Sequence, residues 1–435
     1  MEKSFKVYKY RWVVLAAYMF LAIVSQVQWL THAPIARAAE VFYAGQFNPE
    51  SLFNIDFIAM SYMLVFLVMC IPASYIIDTF GIKIGLGIGA FLMAAFSLIK
   101  GFYGSNFTIV VIAQIGLAAA QPFIINAVTA VTVRWFPLRE RGMAAGFSAL
   151  AQYLGIIAAM AITPLLVVNA PELADYGKGI DTMLLWYGII TAIVSVAAFI
   201  LIREKPATSP SPEEYKHTKF FEGFKYIFKN RSMVITLLLF FIGLGLFNTV
   251  SSMVDSIAGY IGVSDSDGLI GVLMLVGGVI GAVVLPILSD KFRKRKIFLV
   301  ICIVGMLPGI AGLTYAGVIT SGPEAAYAVA LISSFILGFF VMSAGPVGFQ
   351  YAAEISYPAP ESSSQGMLLF AGQITGLVFT AAMSIKDNMY LNLVMNIFVV
   401  LALIAVVLVF FLKESPMIIT EDDKVRGEAE KPDSN

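Results

Sequence analysis

Stretches of about twenty apolar residues recur twelve times along this chain, each ended by charge, proline, glycine or asparagine. A helix of about 20 residues crosses the roughly 30 Å hydrocarbon core of a bilayer, and hydrocarbon tolerates only backbone that satisfies its own polar groups. The runs lie at 12–34, 55–77, 82–101, 106–133, 142–168, 183–202, 233–258, 266–288, 297–320, 324–351, 365–386 and 388–412. Glycine disfavours helix, so the runs at 266–288 and 305–318 carry the weakest helical signal. The first run is too long for the core of a cleaved signal peptide and lacks a small-residue cleavage site, so it is expected to stay as a helix. With 59% hydrophobic and only 13% charged residues, the chain cannot cover a water-soluble surface, which takes about 25% charged residues. The expectation is an all-α membrane protein embedded in a lipid bilayer. Lys and Arg together number 28, as do Asp and Glu, leaving no net field for a nucleic-acid partner. Cys70 and Cys302 fall inside apolar runs, where a thiol behaves as a small hydrophobe, so no disulfide framework and no metal site are expected.

Positive residues are retained on the cytoplasmic side of a membrane. With the N-terminus inside, 24 of the 28 Lys and Arg fall in cytoplasmic segments, and Arg37, Lys100, Lys178 and Lys386 remain on the other side. Both termini are therefore expected in the cytoplasm, with the protein in the cell (inner or plasma) membrane. The longest internal polar stretch, 203–231, carries Pro206, Pro210 and Pro212 and divides six runs from six. It reads as a linker between an N-terminal unit, 1–202, and a C-terminal unit, 232–414, followed by a tail at 415–435. Within it, Tyr215 to Lys229 has aromatics among lysines at a spacing that suits an amphipathic helix on the membrane surface.

The loops after the second and eighth runs repeat. Ile77-Asp78-Thr79-Phe80-Gly81-Ile82-Lys83 corresponds to Ser289-Asp290-Lys291-Phe292-Arg293-Lys294-Arg295-Lys296, each a turn with an acid at the helix end and a cation five or six residues on. This spacing resembles the signature loop of the major facilitator superfamily, although Ser74 and Thr79 stand where that signature has Gly and Arg. The resemblance implies the major facilitator fold: twelve transmembrane helices as two six-helix bundles that rock about a central substrate cavity. In that picture Asp78, Lys83, Arg141, Asp290 and Glu354 are gating residues.

A narrower resemblance is carried by Val27-Gln28-Trp29-Leu30, by Ser61-Tyr62-Met63-Leu64 with Ile71-Pro72-Ala73-Ser74, by Ala120-Gln121-Pro122 with Arg134-Trp135-Phe136-Pro137, and by Glu354-Ile355-Ser356-Tyr357-Pro358-Ala359-Pro360-Glu361 followed by Ala371-Gly372-Gln373. These segments resemble the feline leukaemia virus subgroup C receptor family of facilitators. In members that carry choline and ethanolamine, a Trp of helix 1 and a Tyr of helix 7 clasp the ammonium, and Gln side chains of helices 5 and 11 complete the pocket. Trp29 and Gln373 match two of these positions. Asn248 replaces the helix 7 aromatic and Tyr153 the helix 5 glutamine, so half of the cage is changed.

Independently of any resemblance, a polar side chain inside a membrane helix must find a partner or line an aqueous cavity. By that criterion the candidates are Gln26, Gln28 and His32 in the first run, Gln114, Gln121 and Asn126 in the fourth, Gln152 in the fifth, Asn248 in the seventh and Gln373 in the eleventh, with Trp29, Tyr62 and Tyr153 as aromatic partners. From them the substrate-binding set is drawn as Gln28, Trp29, Tyr62, Gln121, Asn126, Gln152, Tyr153, Asn248 and Gln373. Carboxylates within the runs are few and lie near helix ends, which favours facilitated diffusion of a small organic solute, such as a choline- or ethanolamine-like amine, over proton coupling. No nucleophile–base pair, phosphate loop or metal cluster is present, so neither an enzyme nor a cofactor is expected, and the protein is expected to act as a monomer. The alternatives are proton-coupled transport of another metabolite or of haem, with His32 the sole intramembrane His, and a receptor or scaffold that does not transport.

Overall fold

A computed structural model describes residues 7–208, 210, 228–356, 361–385 and 388–415, excepting the side chains of 78, 129, 133, 138, 139, 141–143 and 361–363. Long helices follow one another, and no strand occurs among the described residues. Those that span are α1 (Arg11–Leu30), α2 (Ile55–Phe80), α3 (Ile82–Phe102), α4 (Phe107–Ile125), α5 (Leu138–Leu166), α6 (Ile180–Leu201), α7 (Arg231–Ser252), α8 (Leu269–Phe292), α9 (Arg295–Ile319), α10 (Pro323–Ser356), α11 (Glu361–Ser384) and α12 (Leu391–Phe410). Twelve candidate spans result. Their alternation puts both chain ends on one face, here the terminal face, and the loops at 43–54 and 261–268 on the opposite, distal face. The surface between is apolar, with Leu165 73% and Val318 78% exposed, as lipid-facing side chains must be. The Asp78 and Arg141 side chains, most of the linker, its proposed amphipathic helix and the tail beyond 415 lie outside the described residues.

The glycine-rich runs are helical after all, because glycine serves packing there. A Cβ on Gly277 would strike the carbonyl of Phe335, one on Gly281 that of Phe339, and one on Gly338 that of Met274, so α8 and α10 touch backbone to backbone. Small residues that allow such approach drive helix association in a membrane.

Three expected helices are interrupted. The first ends at Leu30 rather than 34, because Pro34 has no N–H to donate and the chain tightens into a 3₁₀ turn, Ala33–Ile35, before a short helix, Ala36–Phe42. The fourth breaks at Asn126, four residues after Pro122, and resumes as Ala127–Trp135. The seventh breaks at Met253, after Thr249 and Ser252 turn their hydroxyls back onto the carbonyls of Gly245 and Asn248; such bonds bend helices.

The two halves meet along α2 with α11 and α5 with α8. Polar bonds between them gather at the distal face. Arg37 pairs with Asp255 at 2.6 Å, Asn54 Nδ2 donates to the Ser384 carbonyl at 2.8 Å, the Ser384 hydroxyl donates to Asp56 at 2.9 Å, and Asn169 donates to the Ser266 carbonyl at 3.2 Å. Gly268 and Gly271 there abut Met160 of the other half. Near the terminal face, a Cβ on Gly146 or Gly366 would meet nothing within 4 Å. The cross-half bonds shut the molecule at the distal face.

Candidate functional site

α2 packs against α11, and each of the two halves carries an aromatic or amide pair on the helices beside that crossing. The Trp29 ring stacks on Tyr62 with centroids 6.4 Å apart and donates its Nε1 to the Ala59 carbonyl at 3.2 Å, which fixes the ring against α2. Tyr62 is buried, and its hydroxyl makes no hydrogen bond. Across the interface, Asn248 Nδ2 donates to Gln373 Oε1 at 3.5 Å. Gly376, one turn beyond Gln373, marks the crossing, since a Cβ there would lie 3.0 Å from Asn248 and 3.1 Å from the Met63 sulfur, next in sequence to Tyr62. Trp29 and Tyr62 thus come from one half and Asn248 and Gln373 from the other.

Among the remaining candidates, Gln121 is buried and makes no hydrogen bond, and Tyr153 is half-buried with its hydroxyl likewise free of one. Gln152 accepts from Gln26 Nε2 at 3.4 Å and keeps its own amide N–H groups unbonded. Two others are committed elsewhere. Asn126 donates to the Cys70 carbonyl and the Ser74 hydroxyl at 3.1 and 3.0 Å, tying the break in α4 to α2. Gln28 points away from the interface: its Nε2 donates to Thr191 at 3.0 Å and to the Tyr187 carbonyl at 3.3 Å, and its Oε1 accepts from Lys100 Nζ at 3.2 Å.

Lys100 is the residue that sequence reasoning missed. Counted on the distal side at the end of an apolar run and left out of the polar candidates, it stands in the last turn of α3, 1% exposed inside the first half. Its function is local and physical. The break in α1 frees carbonyls that would otherwise bond along the helix, and the Gln28 carbonyl is taken up by Lys100 Nζ at 3.5 Å and Gln114 Nε2 at 3.0 Å. A lysine amine and an amide thus cap the C-terminal end of the helix that carries Trp29. His32, one turn past Gln28, is buried there with neither ring nitrogen bonded.

The expected gate residues that are described bond within their own halves. Lys83 donates its backbone N–H to Glu204 at 2.8 Å and its ammonium to the Phe199 carbonyl. Asp290 and Glu354 share Arg295, and Ser415 donates to Glu354. The distal contacts of Arg37 with Asp255 and of Asp56 with Ser384 were the unforeseen ones; their signal was the presence of charge at helix ends.

Comparison with known proteins places this architecture. Among curated relatives, the choline/ethanolamine transporter flvcr2a of Danio rerio is 26% identical over 94% of this chain and 88% of its own length. Solute carrier family 49 member A3 of Xenopus tropicalis is 28% identical over 86% of this chain and 78% of its own length. Among solved structures, a bacterial homologue of the human lysosomal transporter Spinster, inward-facing and unoccupied, superposes with a TM-score of 0.71 at 14% identity, over 93% of this chain and 97% of that one. A D-xylose-proton symporter gives 0.70 at 15% identity, over 93% and 98%. The family model for the Major Facilitator Superfamily matches residues 13–380, and the chain belongs to that superfamily as a multi-pass membrane transporter of small solutes.

Proposed function

We propose that this transporter carries a small cationic or zwitterionic amine by facilitated diffusion. The observation that supports this reading is that the α2–α11 crossing at Gly376, beside Asn248 and Met63, has the Trp29–Tyr62 stack on its one side and the Asn248–Gln373 pair on its other. A cation over an aromatic face gains about 0.5 to 2 kcal/mol, and neutral amides complete such a site without demanding an anion. Because Asn248 supplies a hydrogen-bonding wall in place of an aromatic one, a primary amine that donates hydrogen bonds is preferred over a quaternary one. The relatives named as choline/ethanolamine transporters support the substrate class. Tyr153 and Gln121, both free of hydrogen bonds, join the site; Gln28 and Asn126 act through the packing of their helices.

In this reading the termini lie in the cytoplasm, as the positive-residue bias supports, and the described conformation opens inward. The protein works as a monomer in the plasma or inner membrane, without nucleic acid. Asp78, Lys83, Arg141, Asp290 and Glu354 form the terminal-face gate that engages when that face closes. The test is thermal stabilisation of purified protein by ethanolamine, choline and a carboxylate control. Ethanolamine is expected to raise the unfolding temperature of the parent. Trp29→Ala should lose that shift, and Trp29→Phe should keep part of it. A parent-like shift in both variants would remove the amine site.

One observation favours a second reading, proton-linked transport: Lys100 and His32 are buried together at the break in α1. If uptake into vesicles responds to an imposed pH gradient, and Lys100→Met abolishes that response while uptake persists, coupling replaces simple diffusion.

A further inference from the structure

At the terminal face of the second half, a cavity of about 570 Å³ opens between the start of α7, the end of α10 and the end of α12. Lys229, Arg231 and Lys413 line it, and no acid does. The neighbouring carboxylates are engaged elsewhere: Glu354 with Arg295 and Ser415, and Glu414 with the backbone N–H groups of Arg295 and Lys296 at 2.8 and 3.0 Å. Three cations therefore face the same space with no described carboxylate to neutralise them.

The wall is built and held. Asn230 caps α7 by accepting from the Ser232 and Met233 N–H groups, and its Nδ2 donates to the Ile355 carbonyl at 2.7 Å, locking the start of α7 to the end of α10. The N-terminus of a 22-residue helix adds partial positive charge to the cavity. Ser356, also on the wall, is 2% exposed and its hydroxyl has no partner. One wall is aromatic: Phe411 lines the cavity and is 58% exposed. All three helices end here, so the cavity sits at the level where hydrocarbon gives way to water.

A cationic cleft with an exposed aromatic wall fits a ligand that is anionic at one end and apolar at the other. We propose that this cavity binds the phosphate headgroup of an anionic phospholipid from the leaflet on the terminal face, pinning the point where the linker enters the second half. The same cations would also attract free phosphate, so the test must separate the two sources.

The full-length protein is placed in nanodiscs of phosphatidylcholine alone or with a minority of phosphatidylglycerol. Lipid retention by native mass spectrometry and the unfolding temperature are then read. Phosphatidylglycerol should be retained about tenfold or more over phosphatidylcholine and should raise the unfolding temperature by a few degrees. The triple variant Lys229→Gln, Arg231→Gln, Lys413→Gln should lose both effects, whereas Lys178→Gln on the distal face should keep them. The three side chains are exposed, so the variant folds. An undiminished preference in the triple variant, or no preference in the parent, overturns the proposal. So does inorganic phosphate that, added to phosphatidylcholine discs, reproduces the stabilisation and competes away the retained lipid.

Discussion

Gln28 and Trp29 are adjacent in sequence and serve different purposes. Successive helical residues point about 100° apart, so Trp29 faces α2 while Gln28 faces α6 and Lys100. Replacing Gln28 with Leu strips Lys100 of its side-chain acceptor and should cost about 1 to 3 kcal/mol, since a buried donor is left short of a partner. A drop of several degrees in unfolding temperature checks this. Gln121→Leu removes no hydrogen bond, so it should leave that temperature nearly unchanged while weakening amine-induced stabilisation. The sequence showed which residues were polar within apolar runs, and hence the pool that holds the candidate site. It did not show which face each occupied, because glutamines at 26 and 28 satisfy the same compositional rule whether they meet substrate or a neighbouring helix. Lys100 was passed over for a related reason: a lysine at the end of an apolar run is expected to reach water, until a broken helix end is found beside it.

At the scale of elements, apolar length fixed the number of helices, while their interruptions depended on side-chain bonds between helices that no local pattern records. Pro34 announced the end of α1; the break at Met253 follows from hydroxyl back-bonds that Ser and Thr make only in some contexts. Glycine carried two opposite meanings. Gly338→Leu forces a side chain into the Met274 carbonyl and should destabilise by about 3 kcal/mol or more, with loss of folded protein on size-exclusion chromatography. Gly366→Leu enters open space, so the protein should fold normally. Transport should nevertheless slow, because the added bulk stands where the terminal face must close in the alternate state; uptake rate against protein yield separates the two cases.

For the whole molecule, twelve runs, a central polar linker and paired loops made the superfamily readable, but the closed face was not. Arg37 and Asp255 stand 218 residues apart, and nothing local links them. Asp255→Asn keeps the shape of the contact and removes its charge, so the population should move toward distal opening by roughly tenfold. Spin labels on the loops at 43–54 and 261–268 report this as a longer distance distribution; an unchanged distribution would mean that α2–α11 packing alone holds the face. The burial of that contact sets how the transporter answers to its solvent. Asp255 is 3% exposed when the face is shut, so opening must admit water to its carboxylate and to Asn54, Asp56 and Ser384. Distal opening thus hydrates these groups, and lowered water activity should act against that step. Polymers too large to enter the distal crevice should therefore oppose distal opening by osmotic stress, and added salt, which reaches the 31% exposed Arg37 side chain, should favour it.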